Sequence, residues 1–152
     1  MNTEAVFQQE RVARILLVED NPGDILLTRH ALKQAKVTNS LTIAMTGEQG
    51  LAMLHQEGQY SVMELPDIIL LDLNLPGISG HEVLKAVKND SKLQHIPVII
   101  LSSSCAESDI KKSNKAKVNG YLTKPLDIES FSKVLNKIES VCFNIVVTHR
   151  SN

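Results

Sequence analysis

Four apolar runs punctuate the chain: Ile15-Leu16-Leu17-Val18, Leu41-Thr42-Ile43-Ala44-Met45, Ile68-Ile69-Leu70-Leu71 and Val98-Ile99-Ile100-Leu101, with a shorter fifth at Gly120-Tyr121-Leu122. Runs of this length, apolar with little polar alternation, are the mark of strands buried on both faces, as in a parallel sheet covered by helices. The stretches between them carry helical spacing. Leu27, Ala31, Leu32 and Ala35 share one helical face, as do Leu51, Ala52 and Leu54, and then Val83, Leu84 and Val87. In the last stretch Phe131, Val134, Leu135, Ile138 and Cys142 form an apolar stripe at i, i+3, i+4, i+7 and i+11, behind a capping Asp127 that follows Pro125. Ser79 with Glu82 fits a capping box for the third helix, and Ser104 with Glu107 fits one for the fourth. From Glu107 to Lys117 only Ile110 and Ala116 are apolar, so the fourth helix is expected to be weakly held and partly exposed. Strands alternating with helices predict an α/β domain with five parallel strands and five helices.

Composition narrows what such a domain can do. With 152 residues, 43% hydrophobic and 22% charged, one globular domain is expected. By surface scaling it buries roughly 70% of its unfolded surface, so no disulfide staple is needed. Sixteen basic against 17 acidic side chains give a formal charge of −1. That balance has no basic run for nucleic acid, and no apolar stretch reaches the roughly 20 residues of a membrane span. The start, MNTEAVFQQERVAR, lacks the basic and apolar regions of a secretory signal, which points to the cytoplasm. Cys105 and Cys142 have neither disulfide nor metal-ligand spacing and are read as packing residues, with Cys105 a weak candidate for a reactive thiol. Aromatic residues make up 3% of the chain, which counts against a flavin site.

In an open parallel sheet, ligands bind outside the carboxyl ends of the strands. There the sequence places Glu19, Asp20, Asn21 and Pro22 after the first run, Asp72 and Asn74 at the third, Ser102 at the fourth, and Lys124 and Pro125 after the fifth. Three converging carboxylates repel one another unless a cation sits among them, and hard oxygen ligands in small number suit Mg²⁺. Each residue also has a plainer reading. Glu19 and Asp20 can cap the first helix, Asp72 can be a turn residue, Ser102 a helix cap, Lys124 a solvated charge and Tyr121 a core side chain. His30, His55, His81, His95 and His149 are scattered and are read as unpaired surface residues. The functional reading requires all the plainer ones to fail together at one end of one sheet.

The strings LLVEDNPGD, IILLDLNLPGISG, PVIILSSS and GYLTKP, in this order between about Arg14 and Val141, closely resemble the receiver domain of two-component response regulators. The resemblance implies a flavodoxin-like, doubly wound sheet with strand order 2-1-3-4-5. It divides the chain into an extension at residues 1–13, a receiver domain at 14–142 and a tail at 143–152. It also implies that Asp72 accepts a phosphoryl group from a phosphohistidine on a sensor kinase. Glu19 and Asp20 match the acidic pair; Asp20 and Asp72 with the Asn74 carbonyl would hold Mg²⁺, and Glu19, the fourth member of the metal site, would act mostly through a metal-bound water. Ser102 matches the hydroxyl residue and Lys124 the active-site lysine. Pro125 matches a proline usually joined through a cis peptide, and Tyr121 the switch aromatic. Phosphorylation would draw Ser102 inward and let Tyr121 rotate, changing the surface of the fourth helix, fifth strand and fifth helix.

Such a chain is a switch and a binding module, not an enzyme. Because the strand and helix series runs out near Cys142, no output domain is expected, and association as a homodimer through that surface is. The tail from Phe143 to Thr148 is rich in β-branched residues and suits either an extension of that contact or a frayed end. VEDNPGDILLTRHALK, DLNLPGISGHEVLKAVK and the approach from Lys92 to Pro97 are similar to the single-domain regulators of cyanobacterial and bacterial phytochrome kinases, which makes a phytochrome the expected partner. The rival reading is an aspartyl-phosphate hydrolase of the haloacid dehalogenase type. That family has a second Asp two residues after its nucleophile, where this chain has Asn74.

Overall fold

In a computed structural model that describes residues 13–34, 39–103 and 118–138, the five apolar runs are the five strands of one parallel sheet. The elements are β1 (Ala13–Val18), α1 (Pro22–Gln34), β2 (Asn39–Ala44), α2 (Gly47–Leu54), a single 3₁₀ turn (Gly58–Tyr60), β3 (Ile68–Asp72), α3 (Gly80–Lys88), β4 (Val98–Ser102), β5 (Gly120–Thr123) and α4 (Ile128–Asn136). Strand order is β2-β1-β3-β4-β5, and every pairing is parallel. This is the doubly wound order in which the chain reverses direction at β1 and β3, opening a crevice at their carboxyl ends.

Period-two alternation sends neighbouring strand residues into two separate cores. On one face Ile15, Leu17, Leu70 and Leu101 pack with Leu32 of α1 and Phe131 and Leu135 of α4. On the other, Leu16, Val18, Leu71 and Ile100 pack with Met53 of α2 and Val83, Leu84 and Val87 of α3. Both faces of the central strands are dry, which explains why their sequences read as unbroken apolar runs.

Capping follows the expected chemistry at two helices. The Ser79 hydroxyl accepts from the Glu82 N–H while the Glu82 carboxylate accepts from the Ser79 N–H. Asp127 accepts from the N–H groups of Glu129 and Ser130 at the start of α4, and the Ser130 hydroxyl holds its carboxyl below the usual range.

Three expectations need correction. Leu27 is 50% exposed and Leu26 66%, because α1 turns Ile25, Thr28 and Leu32 inward. Thr28, a polar residue on the buried stripe, had concealed its phase. Met45 lies past the end of β2 and is 44% exposed. His55 is not unpaired, since its Nε2 lies 3.2 Å from Asp90 Oδ2, and His81 is half-buried. Ser104, Cys105, Glu107 and the fourth expected helix lie outside the described residues, as do Cys142, His149 and the tail, so the fifth expected helix is α4 here. Among the described residues no helix is long and apolar enough to cross a membrane.

One glycine sets how closely α3 approaches the carboxyl end of β3. A Cβ at Gly80 would overlap the Asp72 carbonyl oxygen and lie 2.5 Å from Leu73 Cα, both of them main-chain atoms that cannot swing aside. The Gly80 N–H donates to the Leu73 carbonyl at 3.1 Å in the same contact. Gly80→Ala is therefore expected to cost about 2–3 kcal/mol through overpacking. In thermal unfolding followed by circular dichroism this lowers the midpoint by roughly 5–10 °C. An unchanged midpoint would show that the contact relaxes freely.

Candidate functional site

Parallel register brings the strand ends to one rim: Val18 pairs with Leu71, Asp72 with Leu101, and Ser102 with Thr123. Glu19 and Asp20 follow β1, Asp72 ends β3, Ser102 ends β4 and Lys124 follows β5, so all five arrive at the same edge. The ladder continues one residue past the strands on two sides. The Glu19 N–H donates to the Ala44 carbonyl at 2.9 Å, and the Lys124 N–H to the Ser102 carbonyl at 2.7 Å. Those bonds fix the main chain from which the two charged side chains project. The Lys124–Pro125 peptide is cis.

Glu19 and Asp72 are 0% and 3% exposed, and a carboxylate so placed is costly unless paired. Lys124 supplies the charge. Its Nζ lies 2.7 Å from Glu19 Oε1, 2.9 Å from Asp24 Oδ2 and 3.2 Å from Asp72 Oδ2. Main-chain donors complete the set: the Asn74 N–H donates to Asp72 Oδ1 at 3.0 Å and the Asn21 N–H to Glu19 Oε2 at 3.2 Å. Ser102 is buried at the end of β4, and Tyr121, half-buried on β5 beside Ile100, packs against the core of α2 and α3. Asn74 itself is exposed and reaches the site through its main chain.

One carboxylate oxygen from each of Glu19, Asp20 and Asp72 lies within 4.8 Å of the others. Counting Asp24, the rim gathers four carboxylates, three of them paired with the Lys124 ammonium, and the donors are all hard oxygens. This set fits a small divalent cation with several water ligands, and offers a soft metal nothing.

Burial pushes the Glu19 carboxyl up to about 7, with Asp72 adding to the rise and Lys124 opposing it. For Lys124, burial acts to lower the pKa, but the hydrogen bonds to Glu19 and Asp24 and the charge of Asp72 outweigh it and hold the ammonium above the ordinary lysine range. The sign for stability follows from linkage. A carboxyl whose folded value is raised from 4.5 to about 7 stabilises the fold when protonated. That contribution is complete below about pH 4.5 and is lost as pH rises through 7. In EDTA the midpoint should fall between pH 5 and pH 8, by about 2–3 kcal/mol of stability. Glu19→Gln should flatten the fall, and Mg²⁺ should reverse it at pH 8. A flat wild-type profile would contradict the coupling.

Asp24 is the site residue that sequence reasoning missed. It stands in the first turn of α1, where an acid is well explained by the helix dipole. Nothing local in the sequence points to Lys124, 100 residues away. Its position four residues after Asp20, at the end of LLVEDNPGD, was the available signal.

Residues 15–136 match the response regulator receiver domain, and the chain belongs to that family. Response regulator Rcp1 of Synechocystis sp. is 40% identical over 126 residues, 83% of this chain and 86% of that protein. The structure of its Mn²⁺-bound form has a TM-score of 0.71 at 36% identity, covering 85% of this chain and 91% of that one. The bacteriophytochrome response regulator AtBRR has a TM-score of 0.79 at 38% identity, covering 86% and 94%. The phosphorylated cyanobacterial phytochrome response regulator RcpA has a TM-score of 0.73 at 40% identity, with the same coverage. The flavodoxin-like receiver fold follows from the topology and from these likenesses. The hydrolase alternative gains no support from any of them.

Proposed function

We propose that this chain is a response regulator that accepts a phosphoryl group on Asp72 from a phosphohistidine of a sensor kinase. The observation that carries the reading is the buried Asp72 carboxylate, tied to Lys124 and lying within ligand distance of Glu19 and Asp20. In the transfer, an Asp72 oxygen forms a bond to phosphorus as the phosphorus–nitrogen bond to the imidazole breaks, and the imidazole leaves. Charge gathers on the equatorial oxygens of a loose transition state, so the residues around Asp72 act by position and electrostatics. Lys124 pairs with one phosphoryl oxygen and the Ser102 hydroxyl donates to another. Glu19, Asp20, Asp72 and the Asn74 carbonyl would hold Mg²⁺, which would supply positive charge to neutralise part of that charge. The transferred group adds roughly −1.5 to −2 of charge. Drawing Ser102 inward frees the space into which Tyr121 turns, and this alters the outer surface of β5 and α4.

The chain is thus a switch rather than a catalyst of turnover. AtBRR and RcpA are phytochrome response regulators, which supports a phytochrome kinase as donor for this chain. Transfer from a phosphorylated bacteriophytochrome kinase in Mg²⁺ is expected to be faster than from unrelated histidine kinases, and to stop in EDTA. Equal rates from every kinase would remove the phytochrome assignment and leave the acceptor reading standing.

Homodimerisation through the fourth expected helix, β5 and α4 is part of the same proposal. Sedimentation should show association that rises with an acyl-phosphate donor and weakens on deletion from Phe143 onward. A monomer in every state would rule the dimer out.

A further inference from the structure

The Lys124 ammonium is enclosed by three carboxylate oxygens: it donates to Asp24 at 2.9 Å and to Asp72 at 3.2 Å, and it forms an ion pair with Glu19 Oε1 at 2.7 Å. An arriving phosphoryl oxygen can bind Lys124 only if one of these partners gives way. The Glu19 and Asp72 side chains are 1% and 5% exposed, whereas that of Asp24 is 33% exposed. A carboxylate already partly in water regains its solvation on release, and a buried one does not. Asp24 is the partner that yields.

Its charge nevertheless stays at the mouth of the site, because Asp24 is placed independently of Lys124. The Asn21 side-chain oxygen accepts from the Asp24 N–H at 2.9 Å, and the Asn21 carbonyl accepts from Ile25 at 3.0 Å, which anchors the first turn of α1. The helix N-terminus favours a carboxylate there.

We propose that Asp24 is a positioning residue that occupies Lys124 until a phosphoryl group displaces it, and that its fixed charge selects among phosphodonors, disfavouring small dianionic ones. The inference rests on the reading of Asp72 as acceptor. It separates two effects. Release of Lys124 is required with every donor, whereas the charge at the mouth acts on each donor in proportion to the donor's own charge. One charge facing a dianion several ångströms away through water changes a rate by about fivefold.

The test compares acetyl phosphate, a dianion, with phosphoramidate, which carries a single net negative charge, on the whole chain in Mg²⁺, with phosphorylation followed by intact mass. Asp24→Asn removes the charge while keeping the size of the side chain and an oxygen that accepts from Lys124. Its second-order rate constant with acetyl phosphate should rise about fivefold, and with phosphoramidate about twofold. The gain should shrink in high salt, and Asp24→Glu should stay near wild type. Unchanged or slower labelling of Asp24→Asn by acetyl phosphate would overturn the proposal, as would an equal gain with both donors. If wild type takes label at Asp72, either result sinks the role of Asp24 alone. A wild-type chain that takes no label from either donor removes the acceptor reading and this inference with it.

Discussion

Asp72→Asn is expected to abolish phosphoryl uptake from both phosphohistidine and acyl phosphates while leaving the fold intact. The substitution replaces the attacking carboxylate oxygen with an amide that is a far poorer nucleophile, and it changes the volume of the side chain very little. An Asn at this position can still accept the Asn74 N–H that now bonds Asp72 Oδ1 at 3.0 Å. Losing one charge from a rim with four carboxylates and one ammonium relieves repulsion, although Lys124 loses the most distant of its three charged partners. The unfolding midpoint should therefore stay level or rise by a few degrees. Intact mass and thermal unfolding check the two halves separately. Label on the variant at the wild-type rate would place the acceptor at another residue.

Lys124→Met should have the largest effect on stability. The ammonium is 10% exposed and is in contact with two carboxylates that are almost wholly buried. Removing one member of a buried ion pair typically costs about 3–5 kcal/mol, because the remaining charge is stranded. Met keeps most of the length of the stem, so little of the loss comes from packing. In the absence of divalent cations the midpoint should drop by roughly 10 °C at pH 8. Without the ammonium, which opposes the rise, Glu19 retains its proton more readily in the folded state. The deficit should then shrink toward pH 5, where protonation removes the repulsion, and grow as pH rises. Mg²⁺ should restore part of the loss at pH 8, since it replaces one positive charge with two in the same oxygen cluster. A variant as stable as wild type in EDTA at pH 8 would show that Lys124 is not what balances the buried carboxylates.

The strands were legible because burial on both faces forces continuous apolar runs, and their ends fell within a residue or two of the observed limits. The rim residues were legible for a related reason: in a parallel sheet every strand end points the same way, so Glu19, Asp20, Asp72, Ser102 and Lys124 needed only the strand positions to be gathered. What escaped were relations between distant side chains. Thr28 takes a core position that a hydrophobicity pattern assigns to Leu27. The His55 to Asp90 contact joins the ends of two helices whose packing no local spacing reveals. Asp24 has a sufficient local explanation as a first-turn acid, and its bond to Lys124 exists only once β5 is laid beside β4. The tight seat of Gly80 against Asp72 is likewise a product of how closely α3 meets β3.

The most direct measurement is to locate the phosphoryl group chemically. The chain is treated with acetyl phosphate in Mg²⁺ and reduced with borohydride, which converts an aspartyl phosphate to homoserine, and its peptides are then sequenced by mass spectrometry. Homoserine at position 72, absent when EDTA replaces Mg²⁺, is the expected result. Homoserine at Asp20 or Asp24, or a chain that remains unmodified under conditions where the Mg²⁺-loaded protein is folded, would contradict the assignment of Asp72 as acceptor.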